Sequence, residues 1–591
     1  VDFTTTPRVI SISLLAIFIG VLAAGVAWAL LKLISIFTNL FFYQRLSAEG
    51  ISPALNHLGL WIILVPVVGA IIIGYMARYG SERIRGHGIP EAIESILLKG
   101  SSVEPRLAVL KPLSAAISIG SGGPFGAEGP IIVTGGAFGS MIAQLFHLTS
   151  AERKTLLVAG AAAGMSATFA APLAAVLLAV ELLLFEWKPR SLIPVALASA
   201  TAGAARRYII GLGPLFPTPA HSLYIGPSGL AGCVLAGLLA GVLSAVLTYG
   251  VYGCEDAFRR LPIHWMWWPA IGGIVVGIGG YIFPQALGVG YDMIGVLIQG
   301  DAPRNVIFGI LIVKLIIWVV SLGSGTSGGI LAPLLMIGGA LGGVEAMFLP
   351  HMGAGFWPLV SMGATLAGTM GCPFTGIVFA IELTHDVNML LPLLVATMIA
   401  HLFTVLTLKR SILTEKVARR GYHLSREYAV DPMEILFVRE VMRAKVAALP
   451  AAGSMEDLRT MFRSGSRARG QRLYPVIDVD KRIHGVLTRK RMLELLADTN
   501  HDGSRLADLS RTDAVFAFAD EPLRVVVYRM AETGLTRMPV VEHARSRKLV
   551  GMLSLEDLLG ARARNLAEER TRERVLRIRL PFRSATPETK G

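Results

Sequence analysis

Apolar residues fill the chain from about Val9 to residue 407 in runs broken by glycine, proline and isolated charges. These runs occupy 9–37, 58–78, 107–119, 130–147, 154–169, 172–187, 191–212, 226–252, 265–283, 304–322, 332–349, 355–370, 374–384 and 389–407. A helix needs about 20 apolar residues to cross about 30 Å of hydrocarbon. Several runs are shorter than that. Helix ends inside a bilayer survive only where protein or a cavity covers them, so the short runs predict broken helices around an internal path. A polar lead at 1–8 holds Arg8. The run 9–37 is too long for a signal-peptide core and is read as a retained first helix. Trp265, Trp267 and Trp268 open one run and read as an interfacial belt.

One break differs from the rest. Gly120-Ser121-Gly122-Gly123-Pro124-Phe125-Gly126-Ala127-Glu128-Gly129-Pro130 lies deep in the apolar region yet carries glycines, a proline and one carboxylate. Glycines let backbone N–H groups approach a ligand, and Pro130 suits the first turn of a new helix. The positive end of that helix would face Glu128 or an anion that displaced it. An ionisable residue at this depth is a functional candidate.

The same pattern occurs twice. Gly120-Ser121-Gly122, Gly126, Pro130, Gly135-Gly136-Ala137 and Gly139 correspond in order to Gly323-Ser324-Gly325, Gly329, Pro333, Gly338-Gly339-Ala340 and Gly342. Further on, Pro172 to Glu181-Leu182 corresponds to Pro373 to Glu382-Leu383. Duplicated halves meeting mid-membrane are what a transport site requires. Glu128 faces Leu331 in the second copy, so its carboxylate belongs to one half only. Glu181 and Glu382 occupy equivalent places and are expected to cap or pair structurally.

Composition agrees with this. Of 591 residues, 53% are hydrophobic and 16% charged, and the mean hydropathy is +0.60, which places most of the chain in a polytopic helical membrane protein. The net charge of +14 is not a nucleic-acid signature. Much of it falls at Lys409, Arg410, Lys416, Arg419, Arg420 and between Arg562 and Arg583. Basic residues beside the last span predict that side to be cytoplasmic and near anionic lipid. Cys233, Cys254 and Cys372 form no metal or disulfide spacing. With no clustered metal ligands and no Ser/His/Asp arrangement, an enzyme is not indicated.

The residues now named resemble the CLC family of chloride channels and chloride/proton antiporters. Gly86-His87-Gly88-Ile89-Pro90-Glu91 is similar to the family's Gly-Ser-Gly-Ile-Pro-Glu signature, Gly126-Ala127-Glu128-Gly129-Pro130 to Gly-Lys/Arg-Glu-Gly-Pro, and Gly329-Ile330-Leu331-Ala332-Pro333 to Gly-x-Phe-x-Pro. The resemblance implies an all-α polytopic membrane domain of inverted repeats and broken helices over 1–410. It implies a homodimer with one anion pathway per subunit, in the cell (inner) membrane, with both termini cytoplasmic. Glu128 is the implied gate: ionised, it blocks the outer anion position, and protonated, it swings away. The implied anion-binding set is His87, Gly88, Gly126, Ala127, Gly129, Ile330 and Leu331, mostly through backbone amides.

Three positions depart from the family. His87 replaces the central serine, either as a hydrogen-bond donor, or turned away, or as a protonated imidazole that strengthens anion binding. Leu413 stands at the central tyrosine. Leu182 stands at the inner proton-carrying glutamate. Lacking that relay, the sequence favours a passive chloride channel gated by Glu128. The alternatives are a chloride/proton antiporter or a carrier of fluoride, nitrate or bicarbonate; a divalent-cation channel would need more acids along the path.

After a linker at 411–437, residues 438–562 alternate short strands and helices, with Val441-Met442 opening the first unit. The two units resemble a C-terminal α/β tandem CBS pair. No cofactor is required, but the resemblance leaves an adenine-nucleotide site open at Ser554 and Asp557; in the first unit Arg491 replaces the aspartate. Residues 563–591 read as a frayed basic helix and disordered tail.

Overall fold

The computed structural model describes residues 7–419 except 99, 212, 219 and 409, then 433 and 436–570 except 464–470, 498–503 and 544. The lead at 1–6, most of the linker and the tail beyond Arg570 lie outside the described residues. The chain divides into two compact units, one running to Arg420 and one spanning Gly421–Arg570.

The first unit is helical: α1 Arg8–Tyr43, α2 Leu64–Tyr79, α3 Ile89–Leu98, α4 Pro105–Gly120, α5 Glu128–Gln144 and α6 Ser150–Phe169. Next come α7 Pro172–Leu178, which continues through a π turn over Ala179–Leu184, then α8 Pro189–Ile209, α9 Pro227–Arg259, α10 Trp268–Ile282 and α11 Tyr291–Gln299. The remainder is α12 Arg304–Gly309, a π turn at Ile310–Lys314, α13 Leu315–Gly323, α14 Leu331–Glu345, α15 Phe356–Met370, α16 Pro373–Thr384, α17 Leu390–Thr407 and α18 Ile412–Arg419. Among the described residues, six helical stretches are long and apolar enough to cross a membrane. The apolar runs foretold most of these elements, but α3, α11 and α18 were not anticipated. They have 10, 9 and 8 residues, too short for an apolar run to stand out.

The repeated glycines are packing positions. A methyl at Gly135 would overlap the carbonyl oxygen of Gly160, and one at Gly139 that of Leu156, so α5 and α6 touch backbone to backbone. In the second half Gly342 meets the carbonyl of Trp357 and Gly338 that of Ser361, bringing α14 equally close to α15. Helices in lipid gain nothing from apolar burial against each other, and small residues allow the close approach that replaces it.

Glu181 and Glu382 are caps. The Glu181 carboxylate accepts from the amides of Phe374 (3.2 Å) and Thr375 (2.8 Å) and from the Thr375 hydroxyl (2.6 Å). Glu382 accepts from the amides of Leu173 (3.0 Å) and Ala174 (2.8 Å). Each half therefore closes the proline-started helix of the other, satisfying the amides that a first turn leaves unpaired.

The second unit holds two three-stranded sheets. The first is Leu449–Pro450, Leu473–Ile477 and Ile483–Thr488; the second is Ala517–Phe518, Arg537–Val541 and Leu549–Ser554. In each, a parallel pair is followed by an antiparallel one, with an irregularity at the same place. Val438 and Val441, at the start of the first CBS-like repeat, pack into the core of the second repeat with Ala517, Leu523, Val540 and Leu553. The cause is backbone pairing, because Arg443 and Met552 exchange N–H···O bonds of 2.9 and 3.0 Å.

Candidate functional site

The loops before α3, α5 and α14 converge. Gly126 and Gly329 exchange backbone hydrogen bonds of 3.1 and 2.9 Å, while the amide of Gly86 donates to the Thr326 carbonyl at 2.9 Å. The signature at 126–130 is thereby stitched to that at 329–333, and the one at 86–91 to the loop that leads into it. Gly86 and Gly88 have φ of +79° and +88°, a conformation glycine reaches without strain, and they place His87 between them.

At this seam Glu128 begins α5 and is fully buried. Its carboxyl group folds back over Gly126 and against Gly329, and the backbone amides of Glu128 and Ala332 face it. It thus lies between the N-terminal ends of α5 and α14, where amide dipoles favour an anion. The carboxylate lies back toward the start of α5, where the sequence placed Glu128 or an anion that displaced it. The hydroxyl of Tyr291, at the start of α11, donates to Glu128 Oε1 at 3.4 Å.

His87, Ala127, Ile330 and Leu331 are all buried at the same junction, together with Gly88, Gly126 and Gly129. One expectation needs correction. The amide of Gly126 is not available to an anion, because the Gly329 carbonyl accepts it. Gly126 contributes space instead, since any side chain there would collide with the Glu128 carboxylate. Leu413 is buried at the start of α18, where the Tyr252 hydroxyl donates to the adjoining Ile412 carbonyl at 2.5 Å. Leu182 is buried in the π turn after α7.

Two charged groups escaped the sequence reading. The Lys111 ammonium is fully buried and donates to the carbonyls of Ile84 and Gly86, each at 2.7 Å. Lys314 is equally buried and donates to Ala286 (2.9 Å) and Gly288 (2.7 Å). The interval between these lysines equals that between Gly120 and Gly323, so extending the repeat upstream would have found them. Their hydrogens go to carbonyls that shape the loops, and Lys314 also lies within electrostatic reach of Glu128. Such positive charge attracts an anion without a direct contact that would trap it.

On one side of the junction a cavity of about 580 Å³ opens over His87, lined by Arg83, Arg85, Tyr252, Lys416 and Arg419 among others. The Arg85 guanidinium lies 4.5 Å from the Trp265 ring and 5.7 Å from that of Trp268. Of the three tryptophans read as an interfacial belt, Trp265 and Trp268 therefore line this mouth, while Trp267 is 41% exposed. Lys416 pairs with Glu91 at 2.8 Å.

In the second unit Ser554 and Asp557 come together as a helix cap. Asp557 accepts from the Ser554 amide (2.9 Å) and hydroxyl (2.5 Å) and pairs with Arg443 at 2.7 Å. Among the described residues no cluster of three or more His, Cys, Asp or Glu could hold a metal ion.

Both parts of the chain are similar to known proteins. The family profile described as voltage gated chloride channel matches residues 68–405, and the CBS domain profile matches 438–498 and 506–564. The H(+)/Cl(-) exchange transporter ClcA of Klebsiella pneumoniae (strain 342) is 30% identical over 443 residues, 70% of this chain and 90% of that protein. ClcA of Salmonella paratyphi B is 30% identical over 439 residues with the same coverage. A slow cyanobacterial Cl-/H+ antiporter structure aligns with a TM-score of 0.62 at 24% identity, over 71% of this chain and 99% of that one. A eukaryotic CLC transporter aligns at 0.60 with 18% identity, over 92% and 97%. At these identities the two structures establish the fold alone.

Proposed function

The chain belongs to the voltage-gated chloride channel family, and from that premise we propose that it exchanges chloride for protons, with Glu128 as both anion gate and proton carrier. The observation that carries this reading is the position of the Glu128 carboxylate, folded over Gly126 at the meeting point of α5 and α14. Ionised, it competes with chloride for the same amide-lined position. Protonated, it no longer competes, the anion enters, and the proton leaves with the side chain. The curated relatives named as exchange transporters support exchange over the passive channel that the sequence favoured.

Passive conduction is the second reading, and Leu182 favours it. That side chain is buried and has no proton to pass on, while the neighbouring Glu181 is engaged in capping α16. The proposal includes a homodimer with one pathway per subunit and cytoplasmic termini, the latter supported by the basic residues after α17.

Reconstitution in liposomes tests it. A chloride gradient is expected to drive protons uphill at a fixed ratio, and Glu128→Gln to abolish proton movement while anions still flow. Chloride flux with no coupled protons in the wild type would select the passive reading. No anion flux at all would end both.

A further inference from the structure

The side chain that donates to the gate comes from the opposite half of the repeat, and nothing in the sequence singled it out. Tyr291 opens α11 directly after Gly290, whose φ of +80° turns the chain into the helix. Its ring is fixed on two sides. Phe169, at the end of α6, meets it edge-on at 6.3 Å and 83°, and Phe216 lies 6.1 Å away at 57°. Phe169 is itself braced by Phe379 at 5.0 Å, and the amide of Phe216 is tied to the Leu383 carbonyl at 2.9 Å. A phenol held this way has little rotational freedom left, so its hydroxyl is aimed before the carboxylate arrives.

We propose that Tyr291 is a positioning residue for the gate, a phenolic latch whose hydroxyl strengthens the hold of ionised Glu128 on the anion position and so sets how much chloride is needed to displace it. This rests on the reading of Glu128 as the gate. At 3.4 Å the bond is longer than the usual 2.7–2.8 Å of an O–H···O contact. A latch at this length gives way to a competing anion. Among the described residues, Lys314 lies within electrostatic reach of the gate, and Asp292 within reach of that lysine. Phenylalanine at position 291 alters neither.

Tyr291→Phe keeps the ring and removes the donor. Because gate and chloride compete for one position, weakening the gate lowers the half-saturating chloride concentration. A hydrogen bond at the weak end of the usual range corresponds to a decrease of about two- to threefold. The experiment is chloride binding by isothermal titration of the detergent-purified full chain, repeated as the chloride dependence of flux in liposomes. It is run on wild type, Tyr291→Phe, Glu128→Gln and the double variant. The expected result is tighter chloride binding in Tyr291→Phe and no effect of that substitution once Glu128 is Gln. A change in Glu128→Gln with none in Tyr291→Phe overturns the latch and leaves the gate standing. No change in either single variant overturns the gate reading itself. A ring that serves only packing predicts wild-type binding in Tyr291→Phe, and an equal effect in both backgrounds also refutes the latch.

Discussion

Replacing Glu181 by glutamine separates two roles that one acid near the proton path could have. The carboxylate takes two amides and a hydroxyl from the first turn of α16, at 3.2, 2.8 and 2.6 Å. Hydrogen bonds to a charged group contribute about 1.5–3 kcal/mol each, and neutral ones about half as much. Glutamine keeps one acceptor oxygen and turns an NH2 group toward donors, so one bond is lost and the others weaken. The negative charge at a helix N-terminus also goes, a further loss of about 0.5 kcal/mol. Losing one such bond while the others weaken puts the net cost at about 2 kcal/mol. Glu382→Gln, facing the two amides that open α7, is expected to cost a similar amount. The assay pairs apparent unfolding temperature in detergent with proton and chloride flux in liposomes. Both variants should melt several degrees lower while the proton-to-chloride ratio stays at the wild-type value. If Glu181→Gln lost proton movement with its melting temperature unchanged, Glu181 would be a relay and the capping argument would be wrong.

Gly329→Ala tests the seam: the new methyl would lie 2.6 Å from the Gly126 carbonyl oxygen and 2.8 Å from the Gly129 amide nitrogen, backbone atoms that cannot step aside. A loss of about 1–3 kcal/mol is expected, read as a lowered melting temperature, whereas Gly25→Ala, with open space around it, should show none. Glu186 gives a pH dependence. Burial would push its carboxyl up, but Lys154, the Ser191 hydroxyl, Arg190 and Lys188 together hold it below the ordinary carboxylate range. Its contribution is therefore present above the unfolded value and disappears as pH falls through the folded one. Glu186→Gln should be less stable than wild type by about 1 kcal/mol at neutral pH, with the gap closing below about pH 4; a gap that persists in acid would refute the ion-pair account.

The legible part of the fold was the part written locally. Apolar runs located the membrane helices, with ends such as those of α1 and α9 off by six or seven residues, because crossing hydrocarbon is a demand on composition alone. The glycine and proline repeat located the broken helices, because close packing and helix starts each demand a residue type at a fixed place. The short helices α3, α11 and α18 were missed because nothing local marks a helix of two or three turns whose stability comes from its neighbours. Lys111 and Lys314 were overlooked since each reads as a stray charge until its carbonyl partners are seen.

The sequence by itself determined a duplicated, broken-helix membrane unit with one half-specific acid, and the family that such motifs imply. Only the tertiary structure decided what that acid meets. Tyr291 lies 163 positions away from Glu128, and Glu181 caps a helix 193 positions further on. Contacts at such separations depend on how the two halves dock, a property of the assembled packing that no window along the chain contains.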